Sequence, residues 1–183
     1  MKNKRRLTLT IETRAAPWRR VKGLNARLNK AAAATKAALP VRLRGLACRA
    51  EATLLLTTDE EVRRLNHDFR GLNKPTNVLS FPHQTRRGLA DLSKGKGRFY
   101  AGDIAIAYRY TANEARKDRK TLKNHVTHLL IHGLLHLFGY DHDTNLAAMK
   151  MERLEKKIMA VMDLPDPYAP CDGQRKRRKR AKA

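Results

Sequence analysis

The chain has 183 residues, which is enough for one domain with a substantial hydrophobic core. Its 40 lysine and arginine residues against 17 acidic ones give a formal net charge of +23, which favours a polyanionic partner, either nucleic acid or an anionic membrane. No apolar run reaches the ~18 residues of a spanning helix, and the N-terminal segment lacks the apolar block of a signal peptide, so we expect no membrane partner. The two cysteines, Cys48 and Cys171, lie far apart and outside any CxxC pair, which argues against a disulfide framework and indicates the cytoplasm.

The first half of the chain alternates strand and helix patterns. LTLTIE (7–12) alternates apolar and polar residues and is predicted to be a strand, and the alanine-rich segment 21–39 is predicted to be a helix. Residues 47–57 return to strand character. Thr58 and Glu61 then form a capping box, which predicts that a helix begins there.

That helix is expected to end at Gly71, and NVLSF (77–81) follows as a brief strand. Residues 83–98 are polar, contain glycines and show no period, so we expect a loop. YAGDIAIAY (100–108) lacks clean alternation, as a central strand covered on both faces would. The remaining predicted helices are 111–120, 123–138 and 145–162, the last with Leu146, Met149, Leu154, Ile158 and Val161 along its apolar side.

This element order predicts an α+β fold in which a small mixed four-stranded β-sheet packs with about five α-helices in a single domain. We expect the folded domain to span residues 1–168. Residues 169–183 are predicted to be a disordered basic tail, because seven of the eight residues from Arg175 to Lys182 are basic.

Three histidines gather in HGLLHLFGYDH (132–142). His132 and His136 are four residues apart, so on a helix both imidazoles lie on one face, about 6 Å apart along the axis. Gly139 can adopt the left-handed conformation that ends a helix and turns the chain back, which brings His142 towards the same point. Three neutral imidazoles plus a water form the usual open zinc site, so we predict that these histidines bind one Zn²⁺ ion.

Two further histidines share the same helical stripe, since positions 125 to 136 fall within about 80° of arc. His128 is expected either to orient a ligand ring or to contact the substrate. His125 is expected to be solvated near the start of the helix.

The interval H-x3-H-x2-G-x2-H is that of metzincin peptidases, in which a glutamate follows the first histidine and acts as general base. Gly133 occupies that position here. Glycine cannot transfer a proton, so peptide hydrolysis is disfavoured.

Four segments occur together between about residue 47 and residue 168: LNHDFRGLNKPTNVLSFP (65–82), GDIAIA (102–107), HGLLHLFGYDH and DPY (166–168). In order and spacing they resemble the YbeY family of zinc-dependent endoribonucleases, the ribosomal-RNA maturation factors. The resemblance implies a small mixed sheet packed with helices, metal ligands at His132, His136 and His142, and a functional arginine at Arg70. The implied activity is cleavage of single-stranded RNA near the 3′ end of small-subunit ribosomal RNA, together with ribosome quality control.

Under this interpretation Arg70 binds a phosphate through two hydrogen bonds from its planar guanidinium and neutralises charge in the transition state. The expected partners are ribosomal RNA and either the small ribosomal subunit or ribosome-associated proteins, with no DNA. Aromatic residues make up only 5% of the chain, so backbone electrostatics should dominate RNA binding and base stacking should be minor. The alternative is a zinc-stabilised ribosome-assembly factor that binds RNA without cutting it, because three histidines leave an open coordination position in either case.

Overall fold

The structure is a computed structural model that describes residues 6–169, within which it contains one four-stranded sheet and eight helices. In chain order the elements are β1 (Thr8–Thr13), α1 (Ala16–Arg19), α2 (Leu24–Ala38), α3 (Val41–Ala47), β2 (Ala50–Thr57), α4 (Asp59–Arg70), β3 (Val78–Pro82), α5 (Arg86–Leu92), β4 (Phe99–Ala107), α6 (Tyr108–Lys117), α7 (Leu122–Leu137) and α8 (Asn145–Val161).

The α+β class and the mixed four-stranded sheet are confirmed. The five helices of ten or more residues, α2, α4, α6, α7 and α8, are the five predicted from the sequence, and α1, α3 and α5 are short additions. Helix α5 lies in the segment expected to be a loop. Thr85 caps it by accepting a hydrogen bond from the Gly88 N–H at 3.0 Å, and Leu89 is its buried residue. A seven-residue helix that buries one side chain leaves too short a pattern for a periodic signal.

The strands lie in the order β1-β2-β4-β3. Strands β1, β2 and β4 are parallel, whereas β3 pairs antiparallel with β4 and forms an edge. β4 is therefore central, as its sequence predicted, and Ile104, Ala105, Ile106 and Ala107 are all buried.

The sheet packs against helices on two faces. The main face carries Leu54, Leu56, Ile104 and Ile106 and packs against α2 and α7, while α8 packs on these two helices. The second face carries Leu55, Leu79 and Ala105 and packs against residues of α4 and α6. The larger core thus lies under α7, the helix that bears the predicted metal ligands.

Helix α8 buries only part of the predicted stripe: Ile158 is buried and Leu154 packs against the core. Its buried residues are Met151, Glu155, Ile158 and Met159. Of the predicted apolar side, Leu146, Met149 and Val161 are instead exposed, at 62%, 67% and 66% of their surface. Periodicity failed because the buried stripe contains a glutamate, a residue type that hydrophobic patterning assigns to solvent.

The basic tail predicted for residues 169–183 lies, apart from Ala169, outside the described residues. Within residues 6–169, no helix is both long enough and apolar enough to cross a bilayer.

Candidate metal centre

The turn after helix α7 determines where the third histidine lies. The helix is followed by Gly139 at φ +82°, a conformation that glycine adopts without strain. The Gly139 N–H donates to the His136 carbonyl at 2.9 Å, and the Tyr140 N–H donates to the Leu135 carbonyl at 3.1 Å. These two hydrogen bonds form a Schellman turn, which reverses the chain so that His142 returns to the side of the helix.

The structure brings the three predicted histidines together. The ring centroids of His132 and His136 are 4.7 Å apart, and that of His142 lies 5.6 Å from the first and 5.0 Å from the second. One ring nitrogen from each lies within 4.8 Å of the other two. His132 and His136 are partly buried and His142 is exposed, so the cluster opens to solvent on one side.

This donor set fits a divalent transition-metal ion. Zinc–nitrogen distances of about 2.0–2.1 Å place two ligands of a tetrahedral site about 3.3 Å apart, and the Nε2 atoms of His132 and His136 are 3.1 Å apart. Burial, together with the neighbouring His132 and His142, lowers the pKa of His136 to about 4. His136 is therefore neutral at pH 7, with a lone pair available for a metal ion.

A buried carboxylate is hydrogen-bonded to one histidine of the cluster. Glu155 of helix α8 is fully buried, and its Oε1 accepts a hydrogen bond from Nδ1 of His132 at 2.8 Å. Its Oε2 accepts from Nε2 of His128 at 2.8 Å and also from the hydroxyl of Tyr168. Burial alone would raise the pKa of Glu155, but the hydrogen bonds from His128 and His132 outweigh it and lower the pKa to about 2. The carboxylate is thus ionised, so it holds His132 with the proton on Nδ1 and the Nε2 lone pair facing the other rings.

The DPY segment (166–168) contacts Glu155 and His128 through Tyr168. The Tyr168 N–H donates to the Asp166 side chain at 2.9 Å, and the Tyr168 ring packs edge-on against His128 at 5.5 Å between centroids. Burial raises the pKa of Tyr168, and the hydrogen bond to Glu155 raises it further. Tyr168 therefore remains a neutral hydroxyl that donates to the carboxylate.

The two additional histidines of the stripe have different surroundings. His128 shares Glu155 with His132, as described above. His125 is only 7% exposed, and its Nε2 lies 2.9 Å from a carboxylate oxygen of Glu114, which also accepts from Nδ2 of Asn77 at 2.9 Å. The expectation that His125 is solvated is therefore wrong, because α6 lies against this end of α7 and supplies a carboxylate partner.

The missing glutamate of the metzincin pattern has a structural explanation. A Cβ atom at Gly133 would lie 2.9–3.1 Å from three side-chain carbons of Ile104, a fully buried residue of β4. Position 133 thus faces the sheet, while His132 faces the histidine cluster. No side chain at position 133 could reach the cluster without displacing the core.

Arg70 ends helix α4 and is exposed. Its Nη2 donates to the Ser80 carbonyl on the edge strand β3 at 3.3 Å. Ser80 pairs in register with Ile104, the residue that touches the Gly133 position. Arg70 is therefore bound to the edge-strand residue that pairs with Ile104, the residue against which Gly133 of α7 packs.

Sequence reasoning missed Glu155 as a site residue. A signal for it exists: Met151, Glu155, Ile158 and Met162 recur at helical spacing, so a single glutamate interrupts an apolar stripe. A buried carboxylate requires partners, and the histidine-rich helix is the obvious source of them.

Fold and site together define an α+β protein with a three-histidine candidate metal centre at the end of the apolar helix α7. The family model of Endoribonuclease YbeY matches residues 20–163. The chain therefore belongs to the YbeY family, as the four sequence segments predicted.

Two relatives illustrate the similarity. Endoribonuclease YbeY of Sphingopyxis alaskensis is 43% identical over 167 residues, which cover 90% of this chain and 99% of the relative. Endoribonuclease YbeY of Nitrobacter winogradskyi is 50% identical over 121 residues, which cover 66% of this chain and 63% of the relative. The match thus spans less than two thirds of the length of the Nitrobacter protein.

A solved structure has the same fold. The solution structure of a protein from Thermotoga maritima superposes with a TM-score of 0.51 at 20% sequence identity, covering 88% of this chain and 99% of the other.

Proposed function

We propose that this protein is a zinc-dependent endoribonuclease that cuts single-stranded RNA. The observation that carries the proposal is the convergence of three imidazole nitrogens within 4.8 Å in a chain whose relatives are named endoribonucleases. The proposed catalytic domain spans residues 1–168, and the basic tail contributes to RNA binding. The proposed substrate is ribosomal RNA near the 3′ end of the small subunit, cut in the cytoplasm during maturation and quality control of ribosomes.

His132, His136 and His142 hold the ion in this proposal. Zinc bound there would supply a Lewis acid that polarises the scissile phosphate or activates water. Glu155 keeps the Nδ1 proton of His132 in place, so the Nε2 lone pair stays directed at the ion. His128 acts through the same carboxylate and fixes its position from the other oxygen.

Arg70 binds the phosphate. One of its five guanidinium N–H groups donates to the Ser80 carbonyl, which fixes the plane of the guanidinium beside the edge strand. The remaining N–H groups are available for two parallel hydrogen bonds to a phosphate, whose charge increases as the bond breaks.

The test compares zinc-loaded wild type with His136→Ala and Arg70→Ala on a short single-stranded RNA, with zinc content measured for each protein. We expect His136→Ala to lose both zinc and cleavage, and Arg70→Ala to keep zinc and lose cleavage. Arg64→Ala is the matched control, since Arg64 is an arginine of the same helix whose side chain is 69% exposed and pairs with Glu61 instead of the edge strand.

The same experiment separates the two functions considered from the sequence. Purified wild type that binds RNA in a salt-dependent manner and never cuts it would support the assembly factor. Cleavage that persists in both His136→Ala and Arg70→Ala would identify a contaminating ribonuclease and leave the proposal without support.

A further inference from the structure

Half of the second face of the sheet is not covered by helices. Residues of α4 and α6 pack on Leu55, Leu79 and Ala105, towards the carboxyl ends of the parallel strands. Beyond them a row of paired residues crosses all four strands and has solvent access throughout: Thr10 pairs with Thr53, Thr53 with Asp103, and Asp103 with Phe81. The uncovered half is therefore a solvent-accessible β-surface within the described residues.

Four aromatic rings lie along one edge of this surface. Phe69, at the end of α4, is 69% exposed and lies 5.1 Å from the ring of Phe81. His83 is exposed and lies 5.8 Å from the ring of Tyr100. Phe81 is the fourth residue of β3 and His83 follows the last one, and the His83 N–H continues the pairing by donating to the Ala101 carbonyl at 2.9 Å. We call these four residues the aromatic row.

Phe81 packs partly against the core of the second face, but the core does not account for the exposed rings of Phe69 and His83. Single exposed apolar residues are normal on protein surfaces, but two ring pairs at consecutive positions along one edge form a continuous aromatic strip. Phe, Trp and Tyr make up only 5% of the chain. The fold therefore brings these rings together at one edge, which a high aromatic content would not explain.

The charges around the aromatic row favour contact with the bases of a nucleic acid over contact with its phosphates. Asp103 lies between the two ring pairs, opposite Phe81, and its carboxylate accepts a hydrogen bond from the Tyr100 hydroxyl. A carboxylate repels phosphate but accepts hydrogen bonds from the amino groups of bases. Two cations lie at the rim instead: the exposed Arg70 ends α4, and the exposed Lys74 lies in the loop after it.

We propose that the aromatic row is a stacking surface for the bases of single-stranded RNA, with the sugar-phosphate backbone along the cationic rim. Only the identity of the nucleic acid rests on the proposed function. Exposed sheet faces bearing aromatic rings bind successive bases in this way because every base has a π-face. Arg70 contacts Ser80, the neighbour of Phe81, so an RNA on the aromatic row leads directly to the arginine proposed to bind the scissile phosphate.

The test measures the affinity of the full-length, zinc-loaded protein for a fluorescent single-stranded oligoadenylate, on a time scale short relative to cleavage. Phe69→Leu keeps apolar area and removes the ring, whereas Phe69→Tyr keeps the ring. We expect Phe69→Leu to weaken binding by about 5- to 150-fold, the loss typical of one stacked base, and Phe69→Tyr to bind as wild type does. Val161→Ala is the control for an exposed apolar residue outside the aromatic row.

A second arm uses an abasic oligoribonucleotide of the same length. If bases stack on the row, wild type should bind the abasic strand more weakly, and Phe69→Leu should then make no further difference. The slope of affinity against salt should be the same in wild type and Phe69→Leu, because no phosphate contact is removed.

The outcomes separate this proposal from the proposed function. Cleavage by wild type together with unchanged oligoadenylate binding by a folded Phe69→Leu variant would overturn the stacking surface and leave the nuclease intact. Loss of binding in Phe69→Leu without any cleavage by wild type would support the stacking surface and overturn the nuclease. A Phe69→Leu variant that changes self-association rather than RNA affinity would identify the row as a protein contact and overturn the proposal.

Discussion

Nδ1 of His132, on α7, donates a hydrogen bond to Oε1 of Glu155, on α8, at 2.8 Å. This bond joins the candidate metal centre to the buried core. The other carboxylate oxygen accepts a hydrogen bond from Nε2 of His128 at the same distance. Helix α8 packs against α7 and also supplies the buried carboxylate of Glu155. This carboxylate determines which nitrogen of His132 is free to bind a metal ion.

We expect Glu155→Gln to lower zinc affinity by about 10- to 100-fold, the effect typical of losing a carboxylate behind a histidine ligand. The glutamine keeps the volume, but its amide nitrogen would face an N–H of one of the two histidines, so one hydrogen bond is lost and His132 is no longer held in one tautomer. Zinc affinity is measured by competition with a chelating indicator. Glu152→Gln, on the same helix, should bind zinc as wild type does, and equal affinities in both variants would contradict the role assigned to Glu155.

Gly133→Ala should destabilise the fold by about 1–3 kcal/mol, the usual cost of overpacking a core. The new Cβ would meet Cδ1, Cγ2 and Cγ1 of Ile104 at 2.9–3.1 Å, so the whole side chain of a fully buried residue would have to shift. Gly45→Ala is the matched control, because nothing lies within 4 Å of its Cβ position on the exposed side of α3. That variant should be neutral or stabilised by up to about 1 kcal/mol, since alanine favours helix. Urea unfolding of both variants measures the difference, and a stable Gly133→Ala would be inconsistent with the packing described.

Acid should weaken one ion pair that joins the N-terminal strand region to helix α4. Burial alone would raise the pKa of Glu61, but hydrogen bonds from Thr57 and Arg14 outweigh it, and the pKa lies below the ordinary value of 4.5. A carboxyl whose pKa is lower in the folded state stabilises the fold above its unfolded pKa, and this contribution is lost as the pH falls through the folded pKa.

The free energy of unfolding of wild type should therefore exceed that of Glu61→Gln by about 1–3 kcal/mol at neutral pH, as expected for hydrogen bonds to a charged group. The difference should shrink below pH 4.5. Chemical denaturation of both proteins across this pH range tests the sign. A gap that widens in acid would show that the ionised carboxylate is not the favoured form in the fold.

Deletion of residues 175–182 should weaken RNA binding and flatten its salt dependence, because seven cationic groups are removed. Zinc content should not change, since the histidines lie elsewhere in the sequence. Affinity for single-stranded RNA at several salt concentrations gives the slope directly. Identical slopes for the deleted and full-length proteins would mean that the tail does not contact phosphate.

Local sequence was sufficient to predict the four strands, the five long helices and the histidine cluster. His132 and His136 are four residues apart, Gly139 can adopt positive φ, and these two local facts were sufficient to predict that His142 returns to the same point. The same reasoning identified the five long helices and the central position of β4, because each depends on a pattern within one segment.

The surroundings of the cluster were decided by tertiary structure alone. Glu155 lies 23 residues from His132 along the chain, and only the packing of α8 on α7 brings its carboxylate into contact with the ring. The prediction that His125 is solvated failed for the same reason, since the carboxylate of Glu114 comes from another helix. Composition likewise gave no indication that Phe69 and Phe81 would meet, because the contact joins the end of a helix to an edge strand. Backbone conformation and ligand spacing are set within a few residues, whereas burial and charge partners depend on which segments the whole fold places side by side.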